Sequence, residues 1–284
     1  MKVLNFGSLN IDHVCRVPHI VRPGETIAAA RCERFAGGKG LNQSIALARA
    51  GAAVCHAGRI GADGLFLKEL LEGEGVDCTR VAIEEDGSSG YAMIQVDDAG
   101  ENSIVLYGGA NRRVTPEFGA EVLADFASGD ILLMQNEISA TAEILRLAAR
   151  RGMRIFLNPA PMDETVREFP LEAVDTLIVN ETEAEEIARF FPQKFFHCNV
   201  LRTLGSRGAV YLDRDGRSIT VPAAKAERVV DTTGAGDTFI GYFLAALTRE
   251  RPVADALRDA ARAAAVAVSR PGAAASIPRR TELA

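Results

Sequence analysis

Apolar residues along this chain fall into two alternating patterns. Short runs at Val3 to Phe6, Ala53 to Ala57, Ile131 to Met134, Arg154 to Leu157 and Thr176 to Val179 are mostly apolar and read as buried strands. Between them, apolar positions recur at helical spacing in Leu41 to Ala50, Leu65 to Leu71, Pro116 to Phe126, Ala140 to Arg151, Glu183 to Phe190 and Phe239 to Leu247. Gly51 and Gly152 close two of these helices, and Thr115 followed by Pro116 opens a third. Strands alternating with helices predict an α/β fold: a mostly parallel central sheet with helices on both faces, three layers in all. Ligands in such folds bind beyond the carboxyl ends of the strands. The loops there are Gly7-Ser8-Leu9-Asn10, Gln135-Asn136-Glu137, Asn158-Pro159-Ala160-Pro161 and Asn180-Glu181-Thr182-Glu183.

Two segments break the alternation. Ile11 to Phe35 is extended and carries Pro18, Pro23 and Gly24, and Ser89 to Tyr107 has the facial alternation of a hairpin turning at Asp98-Ala99-Gly100. Together, as segments of about 11–36 and 89–108, they predict a small β-sheet lid on a single domain spanning 1–284. So small an apolar sheet is rarely stable alone, so its outer face is expected to pair with a second subunit as a homodimer. The C-terminal stretch, Gly272 to Ala284, reads as loop and tail, and no internal repeat is present.

The net charge of -6 excludes a nucleic-acid binder that works through a basic surface, so an anionic ligand would have to be held by local amides and single cations. The five cysteines are scattered without a C-x-x-C spacing, which predicts free thiols in a reducing compartment, and the four histidines have no zinc-site spacing. The opening Met1-Lys2-Val3-Leu4-Asn5-Phe6-Gly7 is interrupted too soon for a signal peptide, and no long uncharged apolar run follows. A cytoplasmic protein with no membrane contact is expected.

Two glycine clusters carry the chemistry. Asp231-Thr232-Thr233-Gly234-Ala235-Gly236-Asp237 lies just before a helix-forming run, so the first N–H groups of that helix are bare and suited to a phosphate. Asp237 beside them reads in two ways: an acid in the first turn that favours the helix dipole, or a base that takes a proton from a hydroxyl while the N–H groups hold the phosphoryl group in transit. Phe35-Ala36-Gly37-Gly38-Lys39-Gly40-Leu41-Asn42-Gln43 opens another helix; it lacks the Walker A spacing. With Asn10 and Asp12 it suggests a pocket for a polyhydroxylated ligand.

These two clusters, in this order, resemble the signatures of the ribokinase (PfkB) family of sugar and nucleoside kinases. Matches between them are Gly7-Ser8-Leu9-Asn10-Ile11-Asp12, Pro23-Gly24-Glu25-Thr26, Gly108-Gly109-Ala110-Asn111, Asn158-Pro159-Ala160-Pro161, Asn180-Glu181-Thr182-Glu183 and Thr203-Leu204-Gly205-Ser206-Arg207-Gly208. The resemblance implies a ribokinase-like three-layer fold and ATP-dependent phosphorylation of the 5-hydroxyl of D-ribose. A sister acceptor (2-deoxyribose, a nucleoside such as pseudouridine, another furanose) or a non-catalytic sugar-binding regulator is the alternative. It implies Asp237 as base, Gly234, Ala235 and Gly236 as anion hole, and a sugar pocket of Asn10, Asp12, Gly38, Lys39, Asn42 and Glu137. It places ATP against Asn180, Thr203, Gly205, Ser206, Gly208 and Gly236, with Mg²⁺ held through water by Glu183. A K⁺ ion is implied at Asp231, Thr233, Ala267, Arg270, Gly272 and Ser276, mainly through backbone carbonyls. The chain departs from the family where Ala261 replaces a histidine near the adenine and where the short interval from Asn180 to Thr203 holds Phe190, Phe191, Phe195 and Phe196.

Overall fold

The computed structural model describes residues 1–192 and 198–283. In chain order the first strands are β1 (Val3–Phe6), β2 (Asn10–Arg16), β3 (Arg31–Gly37), β4 (Val54–Gly61), β5 (Asp77–Glu84), β6 (Gly90–Val96) and β7 (Asn102–Tyr107). They are followed by β8 (Ile131–Gln135), β9 (Arg154–Asn158), β10 (Thr176–Val179), β11 (Asn199–Thr203), β12 (Ala209–Leu212) and β13 (Ser218–Val221). The helices are α1 (Lys39–Arg49), α2 (Leu65–Gly73), α3 (Pro116–Leu123), α4 (Thr141–Arg150), α5 (Glu181–Phe190), α6 (Ala235–Thr248) and α7 (Val253–Ala267).

Among the described residues, nine strands form the main sheet in the order β13-β12-β11-β10-β9-β8-β1-β4-β5. All neighbours from β11 to β5 run parallel, and β12 and β13 are added antiparallel. The two-residue period of the strands divides the core. Val3 and Ile131 pack with α1, α6 and α7 on one face, whereas Leu4 and Leu132 pack with α3 and α4 on the other. The same period carries Asn5 and Gln135, both fully buried, onto the α1 face near the carboxyl ends of β1 and β8.

The fold is the α/β arrangement expected, with several elements shifted. β5 and α7 escape the sequence reading because β5 is a part-exposed edge strand and α7 is built largely of alanine. Helix α6 begins at Ala235, inside the glycine cluster rather than after it. The stretch from Gly272 is irregular but is no loose tail. Ser276 and Ile277 are buried, Arg49 donates to the carbonyls of Ala274 and Ile277, and Tyr242 Oη donates to that of Pro278. In the short interval from Asn180 to Thr203, Phe190 at the end of α5 and Phe191 after it pack on the α3/α4 side of the core. Phe195 and Phe196 lie outside the described residues.

The breaks in the alternation form a second sheet, β3-β2-β6-β7, in which β2 and β6 are parallel and the other pairs antiparallel. The expectation of five free thiols fails here. The β2/β3 register sets Cys15 opposite Cys32 with 4.1 Å between their Cα atoms, and the two form a disulfide. This register is set across a loop rich in proline and glycine, and cysteine spacing alone carries no trace of it. Cys55, Cys78 and Cys198 are free. Among the described residues no helix is long and apolar enough to cross a membrane.

Helix α6 lies tightly on α1 at Gly241. A Cβ there would fall 2.3 Å from the Ala46 Cβ and 2.8 Å from the backbone nitrogen of Leu47, and backbone cannot move aside cheaply. Gly241→Ala is therefore expected to lower the unfolding free energy by about 1–3 kcal/mol, measured by urea denaturation. An unchanged midpoint would show that the two helices separate without cost.

Candidate active site

Two helix N-termini converge on one cleft. At α1, Gly38 takes a left-handed conformation (φ 94°) and supplies no side-chain cap. Ser8 does that work from the neighbouring loop: its Oγ accepts from the Gly40 N–H at 3.2 Å and its carbonyl from the Leu41 N–H at 3.0 Å. A Cβ on Gly40 would lie 2.4 Å from the Ser8 nitrogen, so only glycine permits this contact. At α6, Gly234 (φ 73°) again leaves the helix without a side-chain cap, and nothing lies within 4 Å of where a Gly236 Cβ would stand. The Ala235 N–H donates to the Thr232 carbonyl at 3.3 Å, whereas the Gly236 position faces open space.

Asp237, in the first turn of α6, is 8% exposed. Asn42 Nδ2 donates to its Oδ2 at 3.1 Å and Gln43 Nε2 to its Oδ1 at 2.8 Å, so α1 holds both carboxylate oxygens. The buried Oδ1 of Asn42 has no partner, an acceptor left over beside the carboxylate. The cleft in front, about 290 Å³, is lined by Lys39, Asn158, Asn180, Glu183, Thr203, Gly205, Gly234, Gly236 and Asp237, with an apolar wall from Ile178, Val179 and Ile240.

The electrostatics of this cleft centre on Lys39. Burial alone would lower its ammonium, but Asp237, Glu137 and Glu183 around it raise it instead. Glu137, partly buried, is pushed up by that burial and steadied by Ser8 Oγ and by the Lys39 N–H at 2.8 Å, both donating to Oε2. Asp12 on β2 is raised from 3.8 to about 6, by burial first and by the Glu137 carboxylate second. Gly37 opposite makes room, because a Cβ there would sit 2.1 Å from Asp12 Oδ2. Asn10 accepts at Oδ1 from Asn111 Nδ2 at 2.7 Å, and Asn111 is itself fixed by the Leu9 N–H at 3.1 Å.

Asn180 and Glu183 form a reciprocal capping box on α5: Asn180 Oδ1 accepts from the Glu183 N–H at 2.8 Å, and Glu183 Oε2 from the Asn180 N–H at 2.9 Å. Both also line the cleft, so the cap presents them to it. Thr203 and Gly205 reach the cleft. Gly208 serves the β11–β12 connection, where a Cβ would meet the Val221 carbonyl at 2.1 Å. Asp231 joins two loops by accepting from the N–H groups of Thr233 and Gly272, each at 2.9 Å. Burial opposes its ionisation, but these bonds hold the carboxyl below its usual range. Ser276 Oγ donates to the Ala273 carbonyl at 2.8 Å nearby, whereas the Arg270 side chain turns away to Glu282 at 2.6 Å. Ala261 is buried in the α6/α7 core.

Gln43, Gln135, Ser8 and Asn111 hydrogen-bond to residues around the cleft, yet no role attaches to them in the sequence. Each stands in a glycine-rich or strand-end segment, but its value depends on a partner on another element.

Comparison with known proteins shows the family. Residues 1–280 match the model of the pfkB family of carbohydrate kinases. A ribokinase from Haemophilus influenzae is 38% identical, with 97% of this chain and 95% of that protein covered. The structure of a Cryptococcus neoformans ribokinase in complex with ADP superposes with a TM-score of 0.88 at 35% identity, covering 99% of this chain and 98% of that one. An Arabidopsis thaliana ribokinase complexed with ribose and ATP superposes with a TM-score of 0.87 at 30% identity, covering 99% and 96%.

The raised Asp12 has a consequence for stability. The folded state favours the protonated carboxyl, so the stability this group confers is present below its unfolded value of 3.8 and is lost as pH rises through about 6. Asp12→Asn should leave the ligand-free protein about 2 kcal/mol more stable than wild type at pH 7.5, with the gain vanishing near pH 4, by urea denaturation at both pH values. A gain that does not depend on pH would contradict the buried-charge explanation.

Proposed function

Since the chain belongs to the pfkB family of carbohydrate kinases, and so is a phosphotransferase with an alcohol acceptor, we propose that it transfers the γ-phosphoryl group of ATP to the 5-hydroxyl of D-ribose. The observation that carries this reading is Asp237, gripped at both oxygens by α1 and standing at the open N-terminus of α6. In this reading Asp237 takes the proton of the acceptor hydroxyl as that oxygen forms its bond to the γ-phosphorus. The bond from phosphorus to the β-bridging oxygen breaks, and ADP leaves. The N–H groups of Gly234, Ala235 and Gly236 stabilise the charge on the transferring group, Ala235 by giving up its 3.3 Å bond to the Thr232 carbonyl.

The polar walls suit a sugar. Asn10, Asp12, Gly38, Lys39, Asn42 and Glu137 form the acceptor pocket, where the unpartnered Asn42 Oδ1 can accept from a sugar hydroxyl. Asn180, Thr203, Gly205, Ser206 and Gly208 take the nucleotide side, and Ala261 leaves the base without a histidine partner. The donor set fits Mg²⁺, which prefers oxygen ligands and keeps waters: Glu183 spends one carboxylate oxygen in its cap and lines the cleft. When bound, Mg²⁺ neutralises phosphate charge. A K⁺ ion fits the loops that Asp231 joins, held by that carboxylate and by carbonyls of Thr233, Ala267, Arg270, Gly272 and Ser276. The outward turn of the Arg270 guanidinium keeps a competing cation away.

The β3-β2-β6-β7 sheet is proposed as a lid, since β2 carries Asn10 and Asp12 into the pocket. Its edge strand β7 exposes Ile104 and Leu106 on one face and Val105 and Tyr107 on the other, an apolar edge suited to the same edge of a second copy in a homodimer.

With MgATP and a panel of D-ribose, 2-deoxyribose, fructose and nucleosides, ADP release should be fastest on D-ribose and rise with K⁺. Asp237→Asn should lower kcat by about 10²–10⁴-fold while ADP binding persists. Equal turnover of 2-deoxyribose and ribose would replace the acceptor, and full activity in Asp237→Asn would remove the base.

A further inference from the structure

Beneath the cleft runs a line of buried amides that no step of the transfer uses. Asn5, Gln43, Ser44 and Gln135 are all fully buried. Asn5 Nδ2 donates to the Gly40 carbonyl at 2.7 Å and to Ser44 Oγ at 2.8 Å. Gln135 Nε2 donates to Asn5 Oδ1 at 2.9 Å and to Gln43 Oε1 at 2.7 Å. Gln43 Nε2 donates to Asp237 Oδ1 at 2.8 Å and lies 3.4 Å from Asn158 Oδ1.

The direction of this chain is determined from its far end. A backbone carbonyl only accepts, so Gly40 obliges Asn5 to turn its NH₂ group toward α1 and its oxygen toward Gln135. Gln135 must then present NH₂ to Asn5 and to Gln43. Gln43, with its oxygen so engaged, can offer only N–H to Asp237. In this orientation Gln135 Oε1 is left without a partner, a cost the chain bears to keep its two donors aligned. An isolated glutamine could turn either face to a carboxylate, and the oxygen face would repel it.

We infer that Gln43 is a positioning residue for Asp237 and that Gln135, which reaches neither cleft nor carboxylate, acts on the base through Gln43 by fixing which face of its amide is presented. This inference rests on the reading of Asp237 as the base. Amides do not relay protons here; the chain sets orientation only, so its loss should fall on kcat and spare KM for both sugar and ATP.

The test is a double-mutant cycle of Gln43→Leu and Gln135→Met, assayed for ADP release with D-ribose and MgATP. Each single variant should lose about 10–100-fold in kcat at unchanged KM, and Gln135→Met should cost almost nothing more in the Gln43→Leu background. Additive losses, or an unaltered kcat in either single variant, would overturn the inference. The isosteric Gln43→Glu serves if Gln43→Leu fails to fold: it too should lose kcat, and retained activity would be decisive against the proposal. A readout independent of turnover separates this from the assigned function. In ¹⁵N-labelled protein, the side-chain amide signals that vanish in Gln43→Leu should shift in both Asp237→Asn and Gln135→Met. If wild type phosphorylates no sugar yet these signals shift, the assigned reaction falls and the amide chain stands; if they stay put in Gln135→Met, the chain falls whatever the reaction.

Discussion

The close contact of α1 with α6 is the constraint on which the rest of the site depends. The helices come from opposite ends of the chain and meet at Gly241, where no side chain holds them apart. Their N-termini then open on the same cleft, and Asn42 and Gln43 on one reach Asp237 on the other. Neither helix makes the site alone. α1 contributes amides and a cation, and α6 contributes a carboxylate that would be free to turn away from the cleft without them.

This packing gathers several carboxylates around one partly buried ammonium. Glu137, Glu183 and Asp237 all act on Lys39, while Asp12 stands near Glu137 and is left partly unbalanced. Such crowding costs stability in the ligand-free protein, and a site that binds a hydroxylated ligand recovers part of that cost when hydroxyls take up the unpaired acceptors. The same groups that make the pocket polar enough for a sugar thus make it expensive when empty.

Much of this was legible in the residues themselves. Gly234 and Gly236 announce a helix start without a side-chain cap, and the alternation of apolar runs announces the parallel sheet, whereas the start of α1 after Gly38 is not bare, because Ser8 and Glu137 take its first N–H groups. The strands of the second sheet were visible as the segments that break the alternation. What escaped depends on pairings across the fold. The Cys15–Cys32 disulfide needs the β2/β3 register, the work of Gln43 needs Gln135 on another strand, and the packed C-terminal segment needs Arg49 on α1. Asn180 and Glu183 show the reverse case: a local capping box and a place on the cleft wall are compatible, because the cap aims the residues it uses.

The central claim is that Asp237 and the open start of α6 act together on a primary hydroxyl held between the two helices. The most direct measurement is proton-coupled ³¹P nuclear magnetic resonance of the product formed from D-ribose and MgATP. The account predicts an ester phosphorus split by the two protons of a single CH₂ group, as at carbon 5. A phosphorus split by one proton, as from a ring or anomeric hydroxyl, would contradict it.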